Sequence, residues 1–314
     1  MLLTLTPNPS LDLLFEADCL VWDDANRLDA PRRRAGGQGI NVVRAARALG
    51  VDARAVAPLG GQVGGELAAM LAAEGTPLRA VWIAGETRVF VGVREGASGR
   101  SLLLNPRGPR LGPAEAEALC EAVRAGLDEM RPRWVACCGS LPPGLPPDLY
   151  AAVGRMAREA GARFVPDCDT PPLRLAVDAG CDLLVPNRHE AGRLLGEELE
   201  EGDVAAAARA ATALLACGPA AVAVTMGAAG AVLATRRGTW HAAAPPIRDG
   251  SAVGAGDAFL AGLLAAMEEG AEPPEALRAA VAAGTATLLS DGQDLLRRSD
   301  YEALLRTITV RRAG

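Results

Sequence analysis

Trp134-Val135-Ala136-Cys137-Cys138 is a run of five uncharged residues, and the segment behind it, 146–160, carries apolar residues at helical spacing. The alternation continues along the chain. Strand-like 163–167 precedes helical 170–179, and 182–185 precedes 189–195. A helix over 203–217 leads into a strand over 220–224. The strand segments are apolar throughout rather than at every second residue, which suits strands buried on both faces. Strands alternating with helices imply a parallel sheet flanked by helices. Towards the amino terminus, 2–6 and 54–58 add strands around a helix over 39–49. Towards the other end, 231–235 and 239–243, joined by Arg236-Arg237-Gly238, predict an edge hairpin. The fold class is α/β.

Two regions depart from this scheme. Segments 13–34 and 79–104 read as antiparallel strands with polar turns, as at 95–100. Together they predict a small sheet projecting from the body, over the carboxyl ends of the parallel strands where α/β proteins bind ligands. A lid there excludes water, which competes as acceptor in a transfer reaction. An ordinary peripheral sheet used to form a homodimer is the other reading, and one surface can serve both ends. With no internal repeat and no low-complexity linker, residues 1–314 are expected to form one domain.

Composition narrows the chemistry. Half of the 314 residues are hydrophobic and 22% are charged, which describes a soluble globular chain with ample length for a buried core. The net charge of −6 favours neither nucleic acid nor an anionic membrane as partner. The chain has no charged start leading into an apolar export segment, and no apolar run long enough to span a bilayer. These features predict a cytoplasmic location. Seven cysteines and only two histidines, without a Cys-x-x-Cys pair, suggest reduced packing residues rather than a disulfide framework or a zinc site. All 32 basic residues are arginine. The absence of lysine excludes a Walker-A lysine, the strand lysine of protein kinases and a lysine Schiff base. Phosphate would have to be met by backbone amides, helix ends, arginine and metal.

Ser251-Ala252-Val253-Gly254-Ala255-Gly256-Asp257-Ala258-Phe259 carries small residues into a carboxylate and then an apolar helical pattern ending near Met267. A helix start of little bulk presents unpaired N–H groups at the positive end of the dipole. A carboxylate beside such an anion cradle is what phosphoryl transfer to a hydroxyl requires, a base next to a charge stabiliser. Close packing of a Gly/Ala-rich helix on a sheet explains the same residues. Four further segments also admit two readings. After Thr6-Pro7-Asn8-Pro9, Asp12 can accept hydrogen bonds from sugar hydroxyls or simply cap a turn. Gly36-Gly37-Gln38-Gly39-Ile40-Asn41 opens a helix, lets a ligand approach the backbone and offers the Asn41 amide. Val42 stands where a dinucleotide fingerprint needs its third glycine. Asn187 caps the helix after Pro186, and with Glu190 it would face metal and nucleotide phosphates through water. Thr225-Met226-Gly227-Ala228-Ala229-Gly230 follows a strand and admits either a nucleotide or a tight turn. It is the joint occurrence of these segments, in this order at the ends of βα strands, that carries weight.

Assembled, these residues make the chain resemble the ribokinase-like (PfkB) sugar kinases, closest to the branch containing 1-phosphofructokinase and tagatose-6-phosphate kinase. The likeness covers nearly the whole chain. It rests on Thr6-Pro7-Asn8-Pro9-Ser10-Leu11-Asp12, Gly36-Gly37-x-Gly39-Ile40-Asn41-Val42, Thr87-Arg88, Gly139-Ser140-Leu141-Pro142-Pro143-Gly144, Pro186-Asn187-x-x-Glu190, Val253-Gly254-Ala255-Gly256-Asp257 and Ala283-Gly284-Thr285-Ala286-Thr287. The resemblance implies a three-layer αβα domain with a mostly parallel sheet and a small β-sheet lid. It implies ATP-dependent phosphorylation of a hydroxyl on a sugar phosphate, with fructose 1-phosphate the leading substrate. Tagatose 6-phosphate, fructose 6-phosphate, an unphosphorylated sugar or nucleoside, and a non-catalytic sensor are the alternatives. Asp257 would be the base and the amides from Val253 through Gly254, Ala255 and Gly256 the anion hole. Asp12, Gly37 and Asn41 would hold the sugar, and Arg88 its existing phosphate. Thr225, Gly227, Gly230 and the segment from Ala283 to Thr287 would border ATP together with Asn187, with Mg²⁺ near Glu190. Departures from the family pattern concern phosphate. Gln38, Phe90, Gly92 and Val185 replace lysines or an Asn-x-Lys, and Ala252 replaces a threonine. Arg107, or one of Arg32, Arg33 and Arg34, is expected to compensate.

Overall fold

The computed structural model describes residues 1–247, 253–290 and 295–313. Ser251 and Ala252 lie outside the described residues. Strand β1 (Leu2–Leu5) runs out of the body into β2 (Ser10–Ala17), and the chain returns along β3 (Arg32–Gly36). Helix α1 (Gln38–Ala48), β4 (Ala53–Leu59), α2 (Gly61–Ala73) and β5 (Leu78–Trp82) follow. A second excursion makes β6 (Arg88–Glu95) and β7 (Ser101–Leu104). Helix α3 (Pro113–Met130) then leads to β8 (Trp134–Cys138), α4 (Leu149–Glu159), β9 (Arg163–Asp167), α5 (Pro172–Asp178) and β10 (Leu183–Leu184). The last third comprises α6 (Arg188–Leu195), α7 (Val204–Leu215), β11 (Ala221–Thr225) and the hairpin β12 (Ala231–Thr235)–β13 (Gly238–Ala242). Helices α8 (Ala255–Glu268), α9 (Pro273–Ala286) and α10 (Arg298–Leu305) and strand β14 (Val310–Arg312) complete it.

Strands β5-β4-β1-β8-β9 form a wholly parallel sheet, with Leu5 registered against Val56 on one side and Cys137 on the other. The order β10-β11-β12-β13-β14 continues it, parallel at β10–β11 and antiparallel beyond. Asp182 stitches the two together: its backbone N–H donates to the Phe164 carbonyl (2.9 Å) and its Oδ2 accepts from Phe164 N (2.8 Å). The central strands are apolar at every position because both faces are covered. Trp134, Ala136 and Cys138 pack with Leu2, Ile40, Leu67, Leu260 and Leu277 under α1, α2, α8 and α9. Val135 and Cys137 pack with Leu3, Leu119, Tyr150, Leu173 and Ala207 under α3, α4, α5 and α7. Each fully buried leucine contributes about 1.5–3 kcal/mol. Three layers, αβα, result.

The lid sheet has the order β3-β2-β6-β7. Two expectations about it need correction. Residues 78–82 belong to the main sheet, where β5 lies parallel to β4 (Val56↔Arg79), so the second lid segment starts at Arg88. The strand pair at the lid's centre, β2–β6, is parallel (Asp12↔Phe90), not antiparallel. Both strands continue outward from the carboxyl ends of parallel body strands, β1 and β5, and therefore leave in the same direction. Strand 182–185 shrinks to Leu183–Leu184 because Asp182 turns its side chain onto Phe164 and Pro186, without an N–H, interrupts the ladder, which resumes as a single parallel bridge between Asn187 and Thr225.

Candidate active site

Helix α8 begins at Gly254, whose φ of 84° and close approach to Leu295 Cδ1 (2.5 Å from where a Cβ would be) admit only glycine. The first i→i−4 bond runs from Ala258 N to the Gly254 carbonyl, so the amides of Ala255, Gly256 and Asp257 precede the helical ladder. Around Gly256 a Cβ would meet nothing within 4 Å; this end of the helix faces open space. Asp257, in the first turn, is only 5% exposed. Its Oδ2 accepts from Asn41 Nδ2 at 2.7 Å, and the Asn41 Oδ1 accepts from Arg34 Nη2 (2.8 Å) and Arg44 Nη1 (3.2 Å). Burial raises the Asp257 pKa to about 6; the Asn41 hydrogen bond and the Arg34 charge pull it down, and the Asp12 charge pushes it up.

Strand β2 brings Asp12 to the same place. It is buried, its Oδ1 accepts from Ser10 Oγ at 2.6 Å, and burial raises its pKa against the lowering influence of Ser10 and Arg34. Gly36 opposes Ser10 across the β2–β3 pair, and a Cβ on it would fall 2.3 Å from both Asp12 carboxylate oxygens. Gly37, the cap of α1 at φ 131°, abuts the Thr6 methyl. Gln38, the first residue of α1, is exposed.

Arg88 and Arg107 flank the second lid excursion, β6–β7. The Arg88 guanidinium donates to the carbonyls of Asn8 (2.8 Å), Pro9 (3.4 Å) and Pro106 (3.1 Å) and to Asn105 Oδ1, so it ties the turn after β1 to the segment after β7. The Arg107 side chain is exposed, while its carbonyl accepts from Asn8 Nδ2 (3.0 Å), which also reaches Ser140 Oγ (3.0 Å). Of the other candidate arginines, Arg32 pairs with Glu16 and Arg33 with Glu66, and Arg34 touches the Asn41–Asp257 pair.

Two more carboxylates belong to this neighbourhood, linked to Asp257 by the charges felt at Asp167. Asn187 caps α6, its Oδ1 accepting from His189 N (2.9 Å) and Glu190 N (3.0 Å), and Glu190 Oε2 returns the bond by accepting from Asn187 N (2.8 Å). Asp167, the last residue of β9, was not singled out from sequence. Burial drives its pKa well above the carboxylate range, and the charges of Asp257 and Glu190 push the same way. A polar residue closing an apolar strand at the carboxyl edge of the sheet was the available signal. Among the described residues no group of three or more His, Cys, Asp or Glu side chains is arranged to hold a metal. Two carboxylates nevertheless suit Mg²⁺, which retains several waters and takes one or two protein carboxylates plus substrate phosphates.

A cavity of about 530 Å³ opens at Ala255 and Gly256. Thr225, Gly227 and Gly230 line one side and Phe259, Val281 and Leu288 the other, apolar walls suited to a flat heterocycle. Gly284 and Thr285 line it too. Ala283 and Thr287 do not: Ala283 is fully buried in the α8–α9 contact, and Thr287 Oγ1 donates to the Gly284 carbonyl (2.7 Å). In chemical terms, a buried carboxylate and a row of helix-start amides stand beside the polar cluster of Asp12, Arg34 and Asn41 and at the edge of an apolar cavity.

The model of the pfkB family of carbohydrate kinases matches residues 8–296. The 1-phosphofructokinase of Rhodobacter capsulatus is 35% identical over 312 residues, 98% of this chain and 96% of that protein. The ATP-dependent 6-phosphofructokinase isozyme 2 of Escherichia coli K12 is 32% identical over 303 residues, 96% of both. Among solved structures, Escherichia coli phosphofructokinase-2 in complex with substrates and products superimposes with a TM-score of 0.90 at 30% identity, over 98% of each chain.

Proposed function

Because the chain belongs to the pfkB family of carbohydrate kinases and is an ATP-dependent sugar kinase, we propose that its acceptor is a hydroxyl of a phosphorylated ketohexose, fructose 1-phosphate first among them. The observation that carries the reading is Asp257, buried at the start of α8 with Oδ2 held by Asn41 and the free helix-start amides beside it. Oδ1 then takes the proton of the sugar hydroxyl as the hydroxyl oxygen bonds to the γ-phosphorus and ADP departs. The amides of Ala255 and Gly256 stabilise the charge on the migrating group. A side-chain base near pH 6–7 is matched to this work at neutral pH.

In this reading Asp12, Gly37 and Asn41 hold the sugar beneath the lid. Arg88 meets its phosphate by exchanging some of its carbonyl partners for phosphate oxygens, with Arg107 and Gln38 at the rim. The apolar cavity takes the nucleobase between Thr225, Gly227, Gly230 and Phe259, with Asn187 at the phosphate end. Mg²⁺ would be held by Glu190 and Asp167, and when bound it supplies positive charge to the nucleotide phosphates. The four-stranded lid excludes water. Its exposed Leu103 and Leu104, with Trp22 in the β2–β3 connection, support pairing with a second copy of the chain.

An ADP-release assay over fructose 1-phosphate, fructose 6-phosphate, tagatose 6-phosphate, fructose and ribose tests the proposal. Fructose 1-phosphate should give the highest kcat/KM. Fructose 6-phosphate is the second arm because of the isozyme 2 relative, and a preference for an unphosphorylated sugar would overturn the reading.

A further inference from the structure

Three consecutive arginines open the lid's return strand, and the fold gives them different tasks. Arg33 turns outward to Glu66 on α2 and Arg32 pairs with Glu16 further out on the lid. Arg34 is registered directly opposite Asp12 on β2, so the two side chains share the face turned to Asp257. Its Nη2 lies 2.8 Å from Asn41 Oδ1, and 3.6 Å from the point where a Cβ on Gly254 would be. Two features show that packing alone does not account for it. Arg34 Nε is buried with no hydrogen-bond partner, and Arg34 shares the Asn41 oxygen with a second guanidinium, that of Arg44. A buried orphan donor and two like charges on one acceptor both disfavour the folded state. Arg44 has other business, since it donates to the Ala35 carbonyl (2.6 Å) and pairs with Glu74. Both guanidiniums touch the Asn41 oxygen, but Arg34 makes the shorter bond and is the cation whose charge acts on Asp257.

We propose that Arg34 is a positioning residue for the transfer: acting through Asn41, it holds the amide nitrogen towards Asp257 Oδ2 and keeps a fixed positive charge beside the carboxylate that receives the proton. An amide whose oxygen is pinned by a cation presents only its N–H₂ to the carboxylate, so Asp257 stays an acceptor and its Oδ1 is left for the sugar hydroxyl. This inference rests on Asp257 being the base. Among the described residues, the charged or titratable groups facing Asp257 are Arg34 from β3, Asp12 from β2, Asp167 from β9 and Cys138 from β8. Of these only Arg34 is cationic.

The test compares Arg34→Gln, Arg34→Lys and Asp257→Asn with the parent chain, using kcat and both Michaelis constants from pH 5 to 9. Arg34→Gln should move the acid limb of kcat upward by roughly one pH unit. Near pH 6 that is roughly a fivefold loss in kcat, approaching tenfold at pH 5, with the KM for ATP unchanged. Arg34→Lys should return the limb towards its original position, which restored packing alone would not do. If Arg34→Gln leaves the limb where it was, or lowers kcat equally at every pH with no rescue by lysine, the positioning role is overturned while Asp257 stands. If Asp257→Asn turns over normally, the base assignment falls and this inference with it.

Discussion

Replacing Asp257 by asparagine should destroy turnover and stabilise the protein at the same time. The carboxylate is 5% exposed, and burial lifts its pKa from an ordinary 3.8 to about 6. A carboxyl whose folded pKa exceeds its unfolded value favours folding only while protonated. That contribution is fully present below pH 3.8 and is lost as the pH rises through about 6. At about 1.4 kcal/mol per unit, holding the ionised group in place costs on the order of 3 kcal/mol at pH 8. Asparagine is nearly isosteric, its carbonyl can still accept from Asn41 Nδ2, and it carries no charge to desolvate. The variant should therefore melt roughly 4–5 °C higher at pH 8, and the advantage should narrow to about half at pH 5. Its kcat should fall about 10²–10⁴-fold. Thermal unfolding at the two pH values and an ADP-release assay measure both. Equal melting temperatures at pH 8, or a gain indifferent to pH, would refute the claim that the fold holds a charged base out of water. Near-normal turnover would refute its role.

Other consequences follow from the packing around the same group. Gly36→Ala puts a Cβ 2.3 Å from both Asp12 oxygens with no backbone strain to share the blame, so the KM for sugar should rise roughly tenfold or more with the KM for ATP unaltered; steady-state kinetics decide it. Gly256→Ala meets no protein atom, so the helix should gain up to about 1 kcal/mol while the KM for ATP increases, because the new methyl narrows the mouth of the nucleotide cavity. Unchanged ATP affinity in that variant would argue that the cavity does not hold nucleotide. Glu190→Gln can keep the bond to Asn187 N and hence the cap of α6, so melting should hold while the Mg²⁺ concentration for half-maximal rate rises on the order of tenfold.

Much was written in the chain itself. Apolar runs such as 134–138 read as strands because a strand covered on both faces has no use for a polar position. The small residues at 254–256 and the pair Asn187/Glu190 announced helix starts, since glycine and capping side chains act within one turn. The lysine-free composition already limited phosphate binding to arginine, amides and metal. These signals are local, and local rules reach no further than a few residues.

What remained was a matter of distance in space. Asp12, Arg34, Asn41 and Asp257 meet only because β1 and β5 send their extensions out on the same side and α8 packs against α1. Which of three adjacent arginines turns inward depends on strand register, where a shift of one residue would exchange Arg34 for Arg33. The same holds for Arg88, whose donors found carbonyls from two separate turns, and for Asp167, made notable by carboxylates arriving from α6 and α8. Residue types, capping and periodicity are properties of short stretches; contact and electrostatic environment belong to the folded chain, because burial and neighbouring charge are set by whatever the fold brings alongside.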